Sequence, residues 1–330
     1  MRARARPDIA EAPPCIDGNY DPRLVHDLAV IIVSTDQADW LPACLPTVVA
    51  RSGSISLDLV VVDNGSTRAT RDLVERDFPA ARIVVCPNRG FGHANNEALR
   101  TVDARYVLFL NPDTELLAGT LAELLADLDE RPDVGLAGVR QLDADGRVCP
   151  TMRRFPSVAR ALGDALGLER IGGRPSSLGE RELLSERYDT EFESDWTIGS
   201  FMLARREALA AVGGFDQRFF VYSEEVDLCL RIKRAGWKIV HFPTLTILHH
   251  GSTVRALDAR MAQQNAYAQL QYAQKHFGAL ERVGYRTALL LRYGLRSLPP
   301  AGNAQRRSAA RAAAALVLGH GEPPFGKPPQ

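Results

Sequence analysis

Residues 60–67, VVVDNGST, decide the fold that the sequence predicts. A run of three valines is typical of a strand that is buried on both faces of a parallel sheet. The Asn-Gly pair that follows breaks the strand, and Ser66 or Thr67 is suited to cap the next helix. Ligands of open α/β sheets bind beyond the carboxyl ends of the strands. Asp63 stands at that position, where it either binds a nucleoside or closes a turn on its own backbone.

Buried strands alternate with helical segments along the chain, which is typical of βαβ units in a parallel sheet. The apolar patterns predict strands at 28–34, 57–63, 81–86, 106–110, 134–140, 238–242 and 245–249. They predict helices at 41–50, 68–78, 91–101, 116–131, 206–212, 226–235 and 260–276. Residues 147–155 and 170–194 are polar and irregular, which at this length indicates a lid, a binding loop or disorder.

Composition limits the classes of function. The 330 residues are 45% hydrophobic, enough for a large core, and 40 basic against 40 acidic side chains argue against nucleic-acid binding. Five scattered cysteines without a CxxC pair indicate reduced thiols rather than a disulfide frame or a zinc site. We find no signal peptide and no run of 18 apolar residues, so we expect a cytoplasmic protein without a transmembrane helix.

Residues 108–115, LFLNPDTE, repeat the pattern of a buried strand that ends in polar side chains. Asn111 and Asp113 flank a proline there. Hard divalent cations such as Mg²⁺ or Mn²⁺ take oxygen ligands of this kind beside diphosphate oxygens. Acidic turns after strands are common, so this motif alone favours an ordinary turn.

Residues 88–96, NRGFGHANN, lie between these two strand ends and lead into a helix. Glycines let the backbone approach a ligand closely, and a helix N-terminus favours phosphate. The alternative is a glycine-rich connection in which the asparagines act as caps. Asn95 and Asn96 fit that alternative less well, because asparagine is a poor helix former.

Three carboxylates, Glu224, Glu225 and Asp227, follow a run of aromatic residues at a predicted helix start. Acids at a helix N-terminus are stabilised by the helix dipole, which by itself could explain them. Adjacent carboxylates against aromatic rings are also an arrangement that raises the pKa of a general base. Further along, His249 and His250 close a strand and are followed by glycine.

Five motifs in this order resemble those of the family 2 glycosyltransferases, and in particular a bacterial rhamnosyltransferase-like branch. They are VVVDNGS, NRGFGHANN, LNPDTEL, IGSFMLARR, and GGFDQRFFVYSEEVDLCLR followed by HHGS. The resemblance covers about residues 28–277. It implies the GT-A fold, an α/β class with a Rossmann-like, mixed and mostly parallel sheet flanked by helices, followed here by a helical C-terminal extension.

The resemblance also implies roles for individual residues. Glu225 is expected to be the catalytic base, and Asp113 and His249 are expected to bind a divalent metal, Mg²⁺ or Mn²⁺. Asp227 is expected to orient the site or cap its helix. The nucleotide and donor site would use Ser34, Asp63, Asn88, Gly90, Asn95, Asn111 and Asp113. The acceptor side would use Trp196, Gly199, Ser200 and Glu224.

Two departures from the family pattern bear on this assignment. Many relatives carry Tyr-Asn after the first strand, where this chain has Thr35 and Asp36. Many also carry Glu-Asp in place of Glu224 and Glu225. The extra methylene moves the carboxylate by roughly one C–C bond, and catalysis is sensitive to about 1 Å. Either Glu225 is the base with adjusted geometry, or Glu224 is.

The implied reaction is an inverting transfer of a sugar, with dTDP-rhamnose as the first candidate donor and UDP- or GDP-sugars as alternatives. The acceptor would be a glycan or a polyprenyl-diphosphate-linked saccharide of the cell envelope. A nucleotidyltransferase is disfavoured, because residues 34–41 lack a glycine-rich triphosphate loop with basic residues. A non-catalytic module that binds sugar nucleotides or glycans is the alternative from another class.

We predict three segments: a flexible arm at 1–25, a glycosyltransferase domain at 26–277 that divides after residue 115, and an extension at 278–330 with a disordered tail. The extension combines apolar blocks with Arg286, Arg292, Arg296 and Arg306. Basic amphipathic helices can lie on an anionic membrane, here its inner face. The alternative is packing on the catalytic domain or on a second subunit in a homo-oligomer.

Overall fold

A computed structural model of the chain describes residues 26–66, 68–168, 179–252, 258–299 and 302–325. The predicted arm at 1–25, the capping role of Thr67 and the tail beyond residue 325 lie outside these residues. Part of the predicted irregular segment 170–194 does so as well.

The first half of the chain forms the predicted parallel sheet. Its strands are β1 (His26–Ser34), β2 (Leu57–Asn64), β3 (Arg82–Cys86) and β4 (Ala104–Leu110). Strands β2 and β4 flank β1, and β3 adds to β2, all in parallel. The connecting helices are α1 (Leu41–Ala50), α2 (Ala69–Asp77) and α3 (Phe91–Leu99). These elements confirm the predicted ones to within two residues at their ends.

The second half of the chain completes a nine-stranded sheet. Its strands are β5 (Thr114–Ala118), β6 (Val134–Leu142), β8 (Phe192–Ser194), β10 (Phe201–Arg205) and β11 (Lys238–His249), while β7 (Met152–Arg153) and β9 (Trp196–Thr197) form a separate ribbon. Strand β10 joins β4 to β6 in antiparallel fashion, and β11 continues beside β6 in parallel. Strands β5 and β8 pair antiparallel with β11. Six of the nine strands therefore run in one direction, which confirms a mixed, mostly parallel sheet.

Three predicted elements, one helix and two strands, differ from the structure. The helix predicted at 116–131 begins only at Leu121, as α4 (Leu121–Asp129), where Thr120 caps it; residues Thr114–Ala118 are a strand because β11 gives them a pairing partner. The two strands predicted at 238–242 and 245–249 are the single strand β11. Its register against β6 shifts between Phe242 and Thr246, which lets one strand continue past Pro243.

Apolar side chains cover both faces of the sheet, because successive residues of a strand point to opposite sides. Ile31 and Phe109 belong to the core on one face, and Ile32 and Leu108 to the core on the other. The remaining helices are α5 (Val158–Ala165), α6 (Arg206–Val212), α7 (Glu224–Arg234), α8 (Ala259–His276), α9 (Ala279–Ser297) and α10 (Ala304–Leu318). The predicted division of the chain into segments stays a prediction, and strands from both predicted halves lie in one sheet.

The C-terminal helices pack on protein through one face. Tyr285, Leu289 and Tyr293 of α9 are buried in a cluster shared with α5, α8 and α10. Arg292 and Arg296 form ion pairs with Asp164 of α5 at 2.7 and 2.8 Å. This face of the extension therefore packs on protein, as in the alternative to membrane binding. Within the described ranges, no helix combines the length and apolar character needed to cross a bilayer.

Candidate active site

Several predicted site residues lie at one edge of the sheet. Strand β1 ends there at Ser34, and β2 ends at Asn64, the residue after Asp63. Strand β4 ends one residue before Asn111. Strand β10 runs the opposite way, so Ser200, just before it, lies at the same edge. The Asn111 amide donates to the Ser200 carbonyl over 3.0 Å, which joins the two turns.

Asp63 closes a turn on its own backbone. The side chain is 2% exposed, and its Oδ1 accepts hydrogen bonds from the amide and the hydroxyl of Ser66, at 3.0 and 2.5 Å. A guanidinium nitrogen of Arg71 lies 3.6 Å from Oδ2. Ser34 is fully buried and shares a 3.1 Å hydrogen bond with the Thr70 hydroxyl. Nucleoside binding by Asp63 and Ser34 remains a prediction.

The glycine-rich segment packs its backbone against a neighbouring loop. Gly90 has a φ of +106°, and a Cβ there would lie 2.2 Å from the Phe220 carbonyl oxygen. The Phe91 amide donates to that same oxygen over 2.8 Å. Asn88 Oδ1 accepts from the Gly90 amide at 3.2 Å. The backbone that approaches Gly90 closely is therefore that of Phe220.

The two asparagines at the start of α3 have different roles. Asn96 bonds the Phe215 backbone twice, through Oδ1 at 2.9 Å and Nδ2 at 2.8 Å, and so fixes α3 to the turn after α6. Asn95 is 1% exposed and donates to the Phe91 carbonyl over 3.0 Å. Its Oδ1 is buried without a hydrogen-bond partner among the described residues. An unpaired buried acceptor is costly, so Asn95 is the better candidate for a ligand contact.

Strands β5 and β11 bring Asp113 and His249 together. Asp113 Oδ1 lies 3.4 Å from His249 Nε2, and each residue is 8% exposed. A Cβ on Gly251 would lie 2.2 Å from Asp113 Oδ2, which explains the glycine after the histidines. Two neighbouring ligands of an octahedral Mg²⁺ lie about 3 Å apart. An oxygen and an imidazole nitrogen at this spacing therefore fit one divalent cation.

Protein ligands beyond this pair are few. In the described part of the chain, no cluster of three or more His, Cys, Asp or Glu side chains is arranged to hold a metal ion. Asn111 is half-buried at the preceding strand end. The neighbouring His250 is engaged elsewhere, because its Nε2 lies 2.6 Å from Glu115 Oε1 and its ring stacks on Trp40. The contact with Trp40 had no signal in the sequence.

The two glutamates stand on a strained backbone. Helix α7 begins at Glu224, and the preceding Tyr222 and Ser223 have φ angles of +72° and +66°. Non-glycine residues in this left-handed region cost of order 1–3 kcal/mol each and occur mostly at functional sites. The sequence has no glycine here that would have indicated such a turn. This backbone fixes where the helix starts and where Glu225 projects.

Burial raises the pKa of both glutamates. Glu224 is 5% exposed, and each side chain has an Oε2 that is buried without a hydrogen-bond partner in the described residues. The charge of Glu225 raises the pKa of Glu224 further, to well above its usual value. Burial also raises the pKa of Glu225, but backbone amides and the Arg153 guanidinium act against that rise. The ionised form of Glu225 is therefore stabilised by the Arg153 charge, a partner that Glu224 lacks.

Asp227, one turn into the same helix, is held in a different environment. It is fully buried, yet its carboxylate contacts Arg231 at 2.7 Å, Lys275 at 2.6 Å and His276 at 2.7 Å. Burial acts to raise its pKa, but the His276 hydrogen bond and the two cations lower it below the usual value. Asp227 therefore ties α7 to α8 through its carboxylate.

The predicted acceptor-side residues lie at the start of α7 and along the stretch from β9 to the start of β10. Trp196 is 5% exposed, donates from Nε1 to the Arg154 carbonyl over 2.9 Å, and has the Arg153 guanidinium 5.1 Å from the centre of its ring. The Ser200 hydroxyl donates to Gln141 Oε1 over 2.8 Å. Gly199 faces the Phe91 ring, which would lie 3.8 Å from an added Cβ. Acceptor binding by these residues and by Glu224 remains a prediction.

The family model described as "Glycosyltransferase like family 2" matches residues 26–269. The chain belongs to this family. It is therefore a glycosyltransferase, which confirms the resemblance that the five motifs indicated.

Relatives and solved structures agree with this family. An N-acetylglucosaminyl-diphospho-decaprenol L-rhamnosyltransferase of Mycobacterium tuberculosis is 31% identical over 239 residues, which is 67% of this chain and 76% of that protein. Rhamnosyltransferase WbbL of Escherichia coli is 27% identical over 229 residues, 67% of this chain and 82% of that protein. The mannosyltransferase PcManGT from Pyrobaculum calidifontis, solved with GDP-Man and Mn²⁺, has a TM-score of 0.52 at 18% identity and covers 95% of this chain and 81% of its own. At that identity the likeness shows the fold alone, and it confirms the GT-A fold of this glycosyltransferase.

Proposed function

We propose that this glycosyltransferase moves rhamnose from dTDP-rhamnose to a saccharide carried on a polyprenyl diphosphate, in the synthesis of a cell-envelope polysaccharide. The proposal is supported by two relatives whose names describe rhamnosyltransferases, one of them acting on a decaprenol-linked sugar. Transfer from a UDP- or GDP-sugar is the alternative.

The glutamate pair at the start of α7 is the observation that carries the proposed chemistry. A general base works best when its pKa is close to the working pH, and burial raises the pKa of Glu225 toward that range. Glu224 lacks the Arg153 charge that stabilises the ionised form of Glu225. This assigns the base to Glu225 rather than to Glu224.

The reaction is a single displacement at the anomeric carbon. An acceptor hydroxyl oxygen forms the new bond to that carbon while the bond to the diphosphate oxygen of the donor breaks. The hydroxyl proton passes to the Glu225 carboxylate, and the nucleoside diphosphate leaves with the electron pair of the broken bond. Attack from the side opposite the leaving group inverts the anomeric configuration, and no second nucleophile of the protein is required.

Asp113 and His249, with Asn111 beside them, would hold a divalent cation on the donor diphosphate. When bound, Mg²⁺ or Mn²⁺ neutralises the negative charge that develops on the leaving group. Asp113 is buried and its carboxylate is fixed against His249, so both side chains are positioned before the donor arrives. Solved structures of the same fold that contain Mn²⁺ support this assignment.

A direct assay separates the candidate donors and the non-catalytic alternative. The full chain is incubated with Mn²⁺, a synthetic N-acetylglucosaminyl diphosphate lipid, and dTDP-rhamnose, a UDP-sugar or a GDP-sugar in turn. We expect transfer from dTDP-rhamnose, with an inverted anomeric centre by NMR and loss of transfer in excess EDTA. Faster transfer from a UDP- or GDP-sugar would identify that sugar nucleotide as the donor in place of dTDP-rhamnose. Binding without turnover of any donor would indicate a binding module. A thermal-shift screen of dTDP, UDP and GDP with and without Mn²⁺ gives the nucleotide preference separately, because a selective ligand stabilises by mass action.

We also propose that α9 places the enzyme on the membrane surface that carries such an acceptor. Large apolar side chains recur at helical spacing along its outer face, and Arg282 and Arg286 are exposed beside them. Such a stripe bordered by basic residues is suited to an anionic bilayer surface. The apolar side chains are Leu280, Val283, Leu291 and Leu295 of α9 and Leu298 directly after it, which are 38–89% exposed.

Co-sedimentation with anionic phospholipid vesicles tests this surface. The double substitution Leu291→Ser and Leu295→Ser should reduce the bound fraction by at least about fivefold, since two leucines no longer insert into the bilayer surface. Serine at Val49, an exposed residue of α1, is the matched control and should have no effect. Unchanged sedimentation of the double variant, or a change in its oligomeric state instead, would contradict membrane docking. Removal of the whole extension is a poorer test, because it would expose the buried cluster around Tyr285.

A further inference from the structure

A cavity of about 270 Å³ lies beside the acceptor-side ribbon, between β7, β8 and the start of α5. Three carboxylates, Glu182, Glu193 and Asp195, and five cationic side chains line it, so positive charge exceeds negative charge by two. Neither Asp113 nor His249 lines it, which separates it from the predicted metal pair. The cationic side chains are Arg153, Arg154, Arg160, Arg187 and Lys233.

The carboxylates of this cavity are engaged by only some of its cations. Lys233 Nζ contacts Glu193 at 2.9 Å and Asp195 at 3.4 Å. Arg187 contacts Glu182 at 3.3 Å. Neither Arg153 of β7 nor Arg160 of α5 takes part in these contacts.

Arg153 and Arg160 have guanidinium donors that are not used. The Nε atom of each is buried without a hydrogen-bond partner among the described residues. One terminal nitrogen of Arg160 donates to the Phe155 carbonyl over 2.6 Å, which fixes the guanidinium at the cavity wall. Buried donors without partners are costly unless a ligand or water pairs with them. Two such guanidinium groups in one cavity are therefore suited to an anion with several oxygens.

Arg153 connects this cavity to the proposed base. Its guanidinium lies over the Trp196 ring, and its positive charge lowers the pKa of Glu225 against the effect of burial. Arg153 therefore lines the cavity and lies close enough to Glu225 for the two charges to interact. In a sugar attached to a diphosphate, one pyranose ring separates the anomeric diphosphate from the hydroxyl that attacks.

We propose that Arg153 and Arg160 bind the diphosphate of a lipid-linked acceptor in this cavity. The proposal rests on the function proposed above and adds the site that recognises the acceptor class. Arginine suits this role because its planar fork forms paired hydrogen bonds with phosphate oxygens. The site selects acceptors that carry a diphosphate over uncharged glycosides of the same sugar.

Two synthetic acceptors test the site: N-acetylglucosaminyl diphosphate with a short prenyl chain, and an uncharged alkyl N-acetylglucosaminide. Arg160→Gln should raise the KM for the diphosphate acceptor at least about tenfold, because it removes a charge-assisted contact. The KM for the uncharged acceptor and for the donor should change less than about twofold. The control is Arg147→Gln, which removes an exposed arginine that pairs with Asp145 and lies outside the cavity lining. Equal increases of KM for both acceptors, or no increase, would overturn the proposal.

A binding measurement keeps the test independent of turnover. N-acetylglucosamine 1-diphosphate is titrated into the protein by calorimetry with the donor site saturated by dTDP. Wild type should bind it, and Arg153→Gln and Arg160→Gln should each weaken binding at least about tenfold, with melting temperatures checked against wild type. If no donor is turned over but this pattern appears, the proposed function fails and the diphosphate site stands. If transfer occurs but the variants bind like wild type, the diphosphate site fails alone.

Discussion

The first turn of α7 holds acidic residues in two opposite environments. Glu224 is buried and Glu225 is half-buried, each has one carboxylate oxygen without a hydrogen-bond partner among the described residues, and desolvation raises the pKa of both. Asp227 is buried more deeply, but it contacts three basic side chains and its pKa is lowered. The direction of the pKa shift of a buried acid in this enzyme is therefore decided by the basic groups in contact with it, and not by burial alone. Glu225 is suited to accept a proton, whereas Asp227 holds α7 and α8 together.

The largest effect expected is the loss of the base. Glu225→Gln should lower the rate of transfer by about 10³-fold, since positioned bases contribute 10²–10⁴. Binding of dTDP with Mn²⁺, measured by thermal shift, should stay close to that of wild type. Glu224→Gln should lower the rate by less than about tenfold, because an amide resembles the protonated carboxyl. A greater loss of transfer rate in Glu224→Gln than in Glu225→Gln would show that Glu224 is the base.

Replacing the other acid should affect stability most. Asp227→Asn should lower the free energy of unfolding by about 3 kcal/mol at pH 7, because it leaves buried cations without their carboxylate. Since the pKa of Asp227 is lowered, its contribution is complete at neutral pH and is lost as the pH falls through that pKa. Urea denaturation at pH 7 and pH 3 should therefore show a smaller difference at pH 3.

The control for this measurement is Asp77→Asn, which removes an exposed acid that pairs with the adjacent Arg76. Exposed pairs contribute little, so its unfolding curve should match that of wild type. Equal effects of the two substitutions would show that the contacts of Asp227 are not stabilising.

The strained turn before the glutamates should respond to a smaller change. Ser223→Gly should stabilise the protein by about 1 kcal/mol, because glycine adopts a φ of +66° without the Cβ penalty. The rate of transfer should fall a few-fold, since a freer backbone positions Glu225 less well. Ser223→Ala keeps the strain and loses no capping bond, so it should match wild type in both measurements. Destabilisation by glycine would show that the turn is not strained.

The smallest effect concerns the pH dependence of stability. The folded protein holds the proton of Glu224 to a higher pH than the unfolded chain does, so stability is lost as the pH rises from the usual glutamate pKa through the raised one. Glu224→Gln removes this loss. Its melting temperature relative to wild type should therefore be higher at pH 8 than at pH 5. A difference that is constant over this range would mean that the pKa of Glu224 is ordinary.

Much of the fold was predictable because its signals are local. The valines of β2 and the apolar runs of β1 and β4 mark buried strands within a few residues of sequence. The segment Thr114–Ala118 was not predictable in this way, because its leucines continue the helical spacing of α4. Only pairing with β11, more than a hundred residues away, makes it a strand.

The candidate site was predictable in composition but not in geometry. Motif order indicated Asp113, His249 and Glu225, whereas the left-handed turn at Tyr222 and Ser223 has no glycine to reveal it. The cavity of Arg153 and Arg160 was also missed. Most of its walls come from segments that look irregular in sequence and are joined by long-range contacts, such as the hydrogen bond from the Asp195 amide to the Arg153 carbonyl.

Neighbouring acids of one helix have pKa values shifted in opposite directions. The most direct measurement is a carboxyl ¹³C NMR titration of the full chain, with Glu225→Gln, Glu224→Gln and Asp227→Asn used to assign the three signals. We expect both glutamate signals to titrate above the usual glutamate range of about 4.3, and Asp227 to titrate below the usual aspartate value of about 3.9. A Glu225 signal that titrates at or below the ordinary glutamate value would contradict its assignment as the base.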